Sequence, residues 1–413
     1  MNSFQKDRAI LRPLAERYSE IAHLDIQKER IERYYKTISM EEVRPVVLVD
    51  EVQLGEIDDD ELVNRCGNEE LWWFERQLRT SLYQWDHFQA DFVIPPTFRI
   101  RKKISSSGIG IECQEDQIEG NTGTKTASHK YKDQLKTEED LELLKIPEIT
   151  YDKESTERDV ELAGDVFADL MQVEAVGTYF GFGIWDYVYR FRGVEEFFMD
   201  FAMRPDFMHK IARKFLDIGT ATARQYQELD LLDANPLIIH CTPACAKDLP
   251  ASDFAGKVRL KDTWGRGAAQ IFSSISPAMH DEFDLQYAQK VFDECGLLYY
   301  GCCEPLDKKI DILRKRFKNL RKISITPWAD PEIAACNIGR DYVLAAKPNP
   351  AFVNSPTFNP EPVEKEIRRY LDACKKYGTT CEIVLKDIST IANNPNNLTR
   401  WCETVKQVVD QYY

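Results

Sequence analysis

The stretch Leu297-Leu298-Tyr299-Tyr300-Gly301-Cys302-Cys303-Glu304-Pro305 is an apolar run that stops on two thiols and a carboxylate. A thiolate beside a carboxylate can act as a nucleophile or a metal ligand, and the carboxylate can move a proton. Adjacent side chains on a strand point to opposite faces, so Cys302 and Cys303 share a cavity only if the strand has already ended. A second run, Cys381-Glu382-Ile383-Val384-Leu385-Lys386-Asp387, offers another thiol with a cation and a carboxylate. Other apolar runs end in the same way: on His240 with Cys241, on Thr326 with Trp328, and on Lys347 with Asn349. Each group has an ordinary reading as well. Free cysteine is among the most buried residue types, a histidine on an apolar strand is often bonded to backbone, and Lys386 can simply pair with Asp387. Successive runs that all end in reactive groups are hard to attribute to packing alone. We therefore take Glu304, His240 and Lys386 as candidate catalytic residues, and Trp185, Asp186, Lys347, Asn349 and Trp328 as candidate substrate-binding residues. Cys241 and Cys245 lack the second pair that a metal motif needs, and His280, at a helix start after Pro277, reads as surface.

The elements that must position these groups alternate from residue 157 onward. Helical periodicity predicts helices over 159–173, 194–202, 206–230, 277–295, 307–317, 330–337, 360–376 and 398–409. Apolar runs between them predict strands at 175–181, 236–241, 269–275, 297–302, 322–326, 342–347 and 381–386. A further strand at 90–96 ends on prolines that cannot continue a ladder. Eight strands separated mostly by helices predict an α/β fold, a closed (β/α)8 TIM barrel with its chemistry at the carboxyl ends of the strands. An open doubly wound sheet is the alternative, and Gly181-Phe182-Gly183 lacks the third glycine of a dinucleotide fingerprint. Residues 1–90 read as an N-terminal helical extension packed on the barrel, and 91–413 as the barrel itself. Ser105-Ser106-Ser107-Gly108 and Gly120-Asn121-Thr122-Gly123-Thr124 mark an inserted loop or hairpin over 101–140. Trp72, Trp73, Phe74 and Trp85 recur at helical spacing, which is the mark of core packing.

A formal charge of -15 opposes binding to nucleic acid or anionic membranes. No apolar run reaches bilayer-spanning length, and the first residues lack the apolar core of a secretory signal, so the expected location is cytoplasmic. The 11 scattered cysteines are an odd number, which favours reduced thiols over a disulfide framework.

From Trp264 to Val409 the order of features resembles the uroporphyrinogen decarboxylase superfamily, particularly its cobalamin-dependent methyltransferase branch. The resemblance rests on several short motifs. Ile275-Ser276-Pro277 precedes a helix with Phe283 and Tyr287, and Gly301-Cys302-Cys303 ends a strand. Ile323-Ser324-Ile325, the turn Lys347-Pro348-Asn349-Pro350, and Cys381 followed by Asn394-Pro395-Asn396-Asn397-Leu398 complete the set. Methyltransferases of this branch hold zinc through His-x-Cys at one strand end and a distant cysteine on the last strand. The zinc activates a thiol that exchanges a methyl group with a corrinoid protein. The resemblance thus implies zinc, a corrinoid (cobalamin) on a partner protein, a small-molecule methyl donor or acceptor, and a homodimer. It carries the metal-ligand role onto Cys303 and Cys381. Gly301 stands at the histidine position, so Glu304, Cys302, His240 or solvent must complete the site. A metal-free decarboxylase or other lyase is the second reading, although Arg8, Arg12, Arg17, Arg30 and Arg33 look like solvated helix positions and not the arginine-rich motif of the decarboxylases. A noncatalytic binder of a tetrapyrrole or small acid is the third, for which the aromatic N-terminal region is the main support.

Overall fold

The computed structural model describes residues 3–118 and 128–413, so the segment Gly120-Asn121-Thr122-Gly123-Thr124 lies outside the described residues. Its centre is a seven-stranded sheet. The strands are β1 (Val46–Val49), β2 (Phe180–Phe182), β3 (Trp264–Gly267), β4 (Leu297–Tyr300), β5 (Leu320–Ile325), β6 (Val343–Ala346) and β7 (Cys381–Leu385). All pairings are parallel, β2 through β7 lie side by side in chain order, and β1 follows β7. Helices return the chain between most of them, as parallel neighbours require. This is a barrel-like α/β architecture, but among the described residues no ladder closes β1 onto β2.

The expected strands at 90–96, 236–241 and 269–275 are the places where the chain departs from the prediction. Residues 88–96 run without a ladder. The Asp91 amide donates to Val47 O at 2.7 Å, and the Asp91 carboxylate accepts from the Val47 amide at 2.8 Å and from Arg44 at 2.9 Å. Its prolines cannot extend that contact into a strand. At 236–241 the chain makes a two-stranded antiparallel ribbon, Ile238–Ile239 with Thr242–Pro243. His240 and Cys241 form its turn at φ 36° and 70°. Positive φ at both central positions belongs to a mirror-image hairpin turn, which asparagine and glycine usually fill. A histidine and a cysteine there hide the turn from any reading of residue type. The strand expected at 269–275 lies upstream as β3, because Gly265 and Gly267 mask it. Phe292 and Cys295 press so close that a Cβ on Gly265 would lie 2.8 Å from the Cys295 sulfur. Residues 175–181 divide: Gln172–Val176 pairs with Thr97–Arg101 in a separate sheet, and only Phe180–Phe182 enters the main one. β1 falls within the stretch read as N-terminal extension.

The two faces of the main sheet differ. Leu298, Tyr300, Ile323, Ile325, Leu344, Ala346, Ile383 and Leu385 face the helices and merge with them into one apolar core. The helix Pro360–Tyr377 illustrates the covering layer. Asn359 caps it, proline takes the first position, and Gly378 ends it in the left-handed region at φ 68°. Val363, Ile367, Tyr370, Leu371 and Cys374 form its buried stripe. The opposite face, the inner face of this barrel-like sheet, alternates apolar with polar groups: Trp264, Leu297, Tyr299 and Ala345 beside Arg266, Lys322, Ser324, Lys347, Glu382 and Lys386. The ribbon at 238–243 packs here too, with Ile239 on Trp264 and Cys241 on Val46, Leu48 and Val384.

A second core joins Ser3–Ala22, Glu69–His87 and Lys153–Phe167 around Phe74, Phe98 and Phe167. Phe74 is thus core, whereas Trp73 is 60% exposed. His280, expected at the surface, is fully buried and bonds the Tyr300 hydroxyl at 2.8 Å, just ahead of a π-helical turn at Asp281–Leu285. Among the described residues no helix is long and apolar enough to cross a membrane.

Candidate active site

The site forms where β4 ends. Gly301 turns the chain at φ 102°, and a Cβ there would come 2.5 Å from Leu306, so glycine is required on both counts. The strand therefore stops before the thiols, and Cys302 and Cys303 occupy the same mouth with their sulfurs 3.6 Å apart. Glu304 is fully buried and accepts the amides of Cys302 at 2.9 Å and Ala269 at 3.1 Å. Ser324 donates to the Cys302 carbonyl at 2.9 Å. Glu304 is thus a strut that fixes the Cys302 backbone to the end of β3, and Ser324 ties the same residue to β5.

The Cys302 sulfur lies 3.2 Å from His240 Nε2 and 3.2 Å from Lys386 Nζ. Arg266 reaches His240 Nε2 at 2.9 Å from the other side. The Cys303 sulfur lies 3.2 Å from an Asp387 oxygen, and Asp387 pairs with Lys386 at 2.8 Å. These contacts hold the Cys302 thiol well below its ordinary pKa. The hydrogen bond from Cys303 contributes most, then that from His240, then the charges of Lys386 and Arg266, and together they outweigh burial. Cys303 moves the other way, raised by its bond to Cys302 and by burial. The mouth therefore holds one thiolate and one thiol. His240 Nε2 thus stands between the Cys302 sulfur and the Arg266 guanidinium. Lys386 is raised, because Cys302 and Asp387 outweigh the burial that opposes its charge. Asp186, on the neighbouring helix Ile184–Arg192, is pushed up to about 7 by burial and by the charge of Glu304.

The sequence-predicted residues divide accordingly. His240, Cys302, Cys303, Glu304 and Lys386 meet at one mouth. Cys381 does not. It begins β7 at the amino end, whereas Lys386 and Asp387 follow its carboxyl end, and its side chain turns outward into the helix-side core next to Cys374. A strand of this length separates its two ends by roughly 15 Å, too far for a shared ligand. Trp185 is fully buried among Phe197, Phe201 and Phe272, and its indole donates to Phe283 O at 3.1 Å, so it packs instead of lining the mouth. Asn349 caps the short helix Pro350–Val353. Trp328 stands on the rim after β5, 71% exposed. Lys347 enters the interior after β6.

Arg266, Asp387 and Glu51 complete the mouth without having been singled out as site residues. Glu51 accepts the Asp387 amide at 2.8 Å and the Cys241 thiol at 3.4 Å. Its signal was present: it follows Val46-Val47-Leu48-Val49, and counting that piece as a barrel strand makes Glu51 a strand-end residue. Arg266 was hidden by the glycines on either side.

The donor set does not suit zinc. Lys386 Nζ stands 3.2 Å and 4.0 Å from the two sulfurs and 2.8 Å from Asp387, so a fixed ammonium already serves the groups that would ligate a metal. Among the described residues, no three or more His, Cys, Asp or Glu side chains are grouped to hold a metal ion.

No protein-family model and no curated protein matches the chain. Among solved structures, a methyltransferase from Methanosarcina mazei aligns over 93% of this chain and 99% of its own, at 12% identity and a TM-score of 0.48. A likeness at that level carries no argument about activity.

Proposed function

We propose that this chain is a transferase of one-carbon groups whose reacting group is the Cys302 thiolate. The observation that carries the reading is the Cys302 sulfur held 3.2 Å from both His240 Nε2 and Lys386 Nζ at the mouth of a parallel barrel-like sheet. Lys386 does the work that a metal would do for a thiol: it stabilises the anion. Methyl transfer divides into two displacements. The thiolate attacks the methyl carbon, the new S–C bond forms, and the old bond breaks with its electron pair leaving on the donor. An acceptor nucleophile then takes the methyl group, and the S–C electron pair returns to Cys302. The same contacts that depress its pKa make Cys302 a better leaving group in that second step.

The donor we infer is a methylated corrinoid on a partner protein, the class that the family resemblance names. Bound at this mouth, it would supply an electrophilic methyl group. Exposed Trp328 on the rim offers an apolar face to a planar macrocycle. The test incubates the protein with methylcobalamin and maps Cys302 by mass spectrometry. The reading expects one methyl group on Cys302 and none in Cys302→Ser. Turnover retained by Cys302→Ser, or stoichiometric zinc in protein purified without added metal, would contradict it.

One observation favours a second reading, decarboxylation. Asp186, half-buried with its pKa near 7, is an acid able to protonate the carbanion that departing carbon dioxide leaves.

A further inference from the structure

We propose that the barrel interior beside Cys302 binds the carboxylate of a small substrate, with Lys347 Nζ and Arg266 Nε as its donors. This rests on the reading of Cys302 as the reacting group and names the substrate class of that site.

Lys347 is 3% exposed, and its ammonium makes no hydrogen bond or ion pair among the described residues. The Tyr299 ring, with its centroid 5.8 Å away, is the aromatic face it meets. The other interior cations have partners. Lys322 has Glu382 at 2.7 Å, and Lys386 has Asp387 at 2.8 Å and the Cys302 sulfur at 3.2 Å. Arg266 spends one nitrogen on His240, and its Nε is buried and unpartnered. Glu382 favours the Lys347 charge from a distance but makes its hydrogen bonds to Lys322 and to the Thr242 hydroxyl, not to Lys347.

A buried ammonium without a partner is expensive, and no gain from packing explains its retention at a strand end facing a reactive thiolate. Burial lowers its pKa, and an arriving anion would reverse that shift. One unmatched cation calls for one negative charge. A carboxylate supplies it, whereas a phosphate dianion would add a surplus charge next to the thiolate. The layer below is filled by Trp264, Leu297 and the Lys322–Glu382 pair, so the acid must be short. Anchored by its carboxylate, such an acid places a neighbouring carbon toward Cys302.

Iodoacetate and iodoacetamide test this, because they differ in the carboxylate alone. In each reaction the thiolate forms an S–C bond, the C–I bond breaks, and iodide leaves with the pair. The rate ratio of iodoacetate to iodoacetamide at Cys302 should exceed that of free cysteine about tenfold or more, as cationic clefts raise local anion concentration. It should fall to the free-cysteine ratio in Lys347→Met, and substantially in Arg266→Gln, a second variant should the first misfold. The ratio cancels changes in thiolate fraction. A wild-type ratio equal to that of free cysteine, or a high ratio retained in both variants, would overturn the proposal while leaving Cys302 as nucleophile. Failure of both reagents to label Cys302 would sink the nucleophile reading instead. Thermal stabilisation of Cys302→Ala by glycolate over chloride at equal ionic strength then decides the anion site: its loss on adding Lys347→Met upholds it, and no stabilisation overturns it.

Discussion

The interior of this sheet carries two layers of charge that differ in one respect. In the lower layer, Lys322 gives its three protons to Glu382 at 2.7 Å, to the Thr242 hydroxyl at 2.7 Å and to Pro243 O at 2.6 Å. Every donor has an acceptor, so the layer is closed. In the upper layer, a thiolate, a thiol, Arg266, Lys386 and Lys347 crowd one mouth, and Lys347 has no partner. Both layers consist of buried ionic groups on one sheet, and they meet on β7 and its extension, where Glu382 and Lys386 are four residues apart. A satisfied set serves structure; an unsatisfied set is a liability that a chain keeps only where something else completes it.

Substitutions break the comparison in graded ways. Cys302→Ala should have the largest effect, reducing transfer to background while the fold persists, as read by turnover beside far-ultraviolet circular dichroism. Lys322→Met comes next. It leaves Glu382 buried and alone, which should cost about 3–5 kcal/mol in urea unfolding, whereas Lys322→Met with Glu382→Leu should recover most of that loss. Lys347→Met in the upper layer should act in the opposite sense, raising stability by about 1–3 kcal/mol because an unpaired ammonium is removed. If Lys322→Met and Lys347→Met destabilise alike, the distinction between the layers fails.

Asp186 gives a smaller, pH-dependent effect. Its folded pKa of about 7 lies above the ordinary aspartate value of 3.8, so the folded state holds its proton more tightly than the unfolded state. That contribution is complete below the lower value and is lost as pH rises through the higher one. The melting temperature of the wild type relative to Asp186→Asn should therefore fall between about pH 4 and 7, and parallel curves would contradict the assignment. Cys381→Ser should have the smallest effect on transfer, since that sulfur lies at the far end of β7 and on its outer face.

Much of this was legible in the residues. β4 to β7 announce themselves as apolar runs, and the polar groups at the ends of β4, β6 and β7 could be placed at one mouth by the rule that strand ends in such sheets carry the chemistry. The failures have physical causes. β3 is half glycine because Phe292 and Cys295 pack against it, so it carries no strand signature. The ribbon at 238–243 reads as a strand because its turn uses His240 and Cys241 at positive φ. Cys381 shares a strand with Lys386 but neither its end nor its face, and an odd separation along a strand inverts the face. Beyond that shared mouth the pairing of thiolate with ammonium was not legible, because which of the two adjacent sulfurs Lys386 approaches is set by side-chain geometry, 3.2 Å to Cys302 against 4.0 Å to Cys303.

The most direct test of the account is the pH dependence of iodoacetamide alkylation at Cys302, followed by mass spectrometry. A thiolate held by Lys386, His240 and Cys303 should react at pH 6 nearly as fast as at pH 8, whereas a free thiol slows about tenfold per unit below its pKa. Flat kinetics across that range, becoming steep in Lys386→Met, is the predicted result. A wild-type rate that falls in step with that of free cysteine would contradict the central claim.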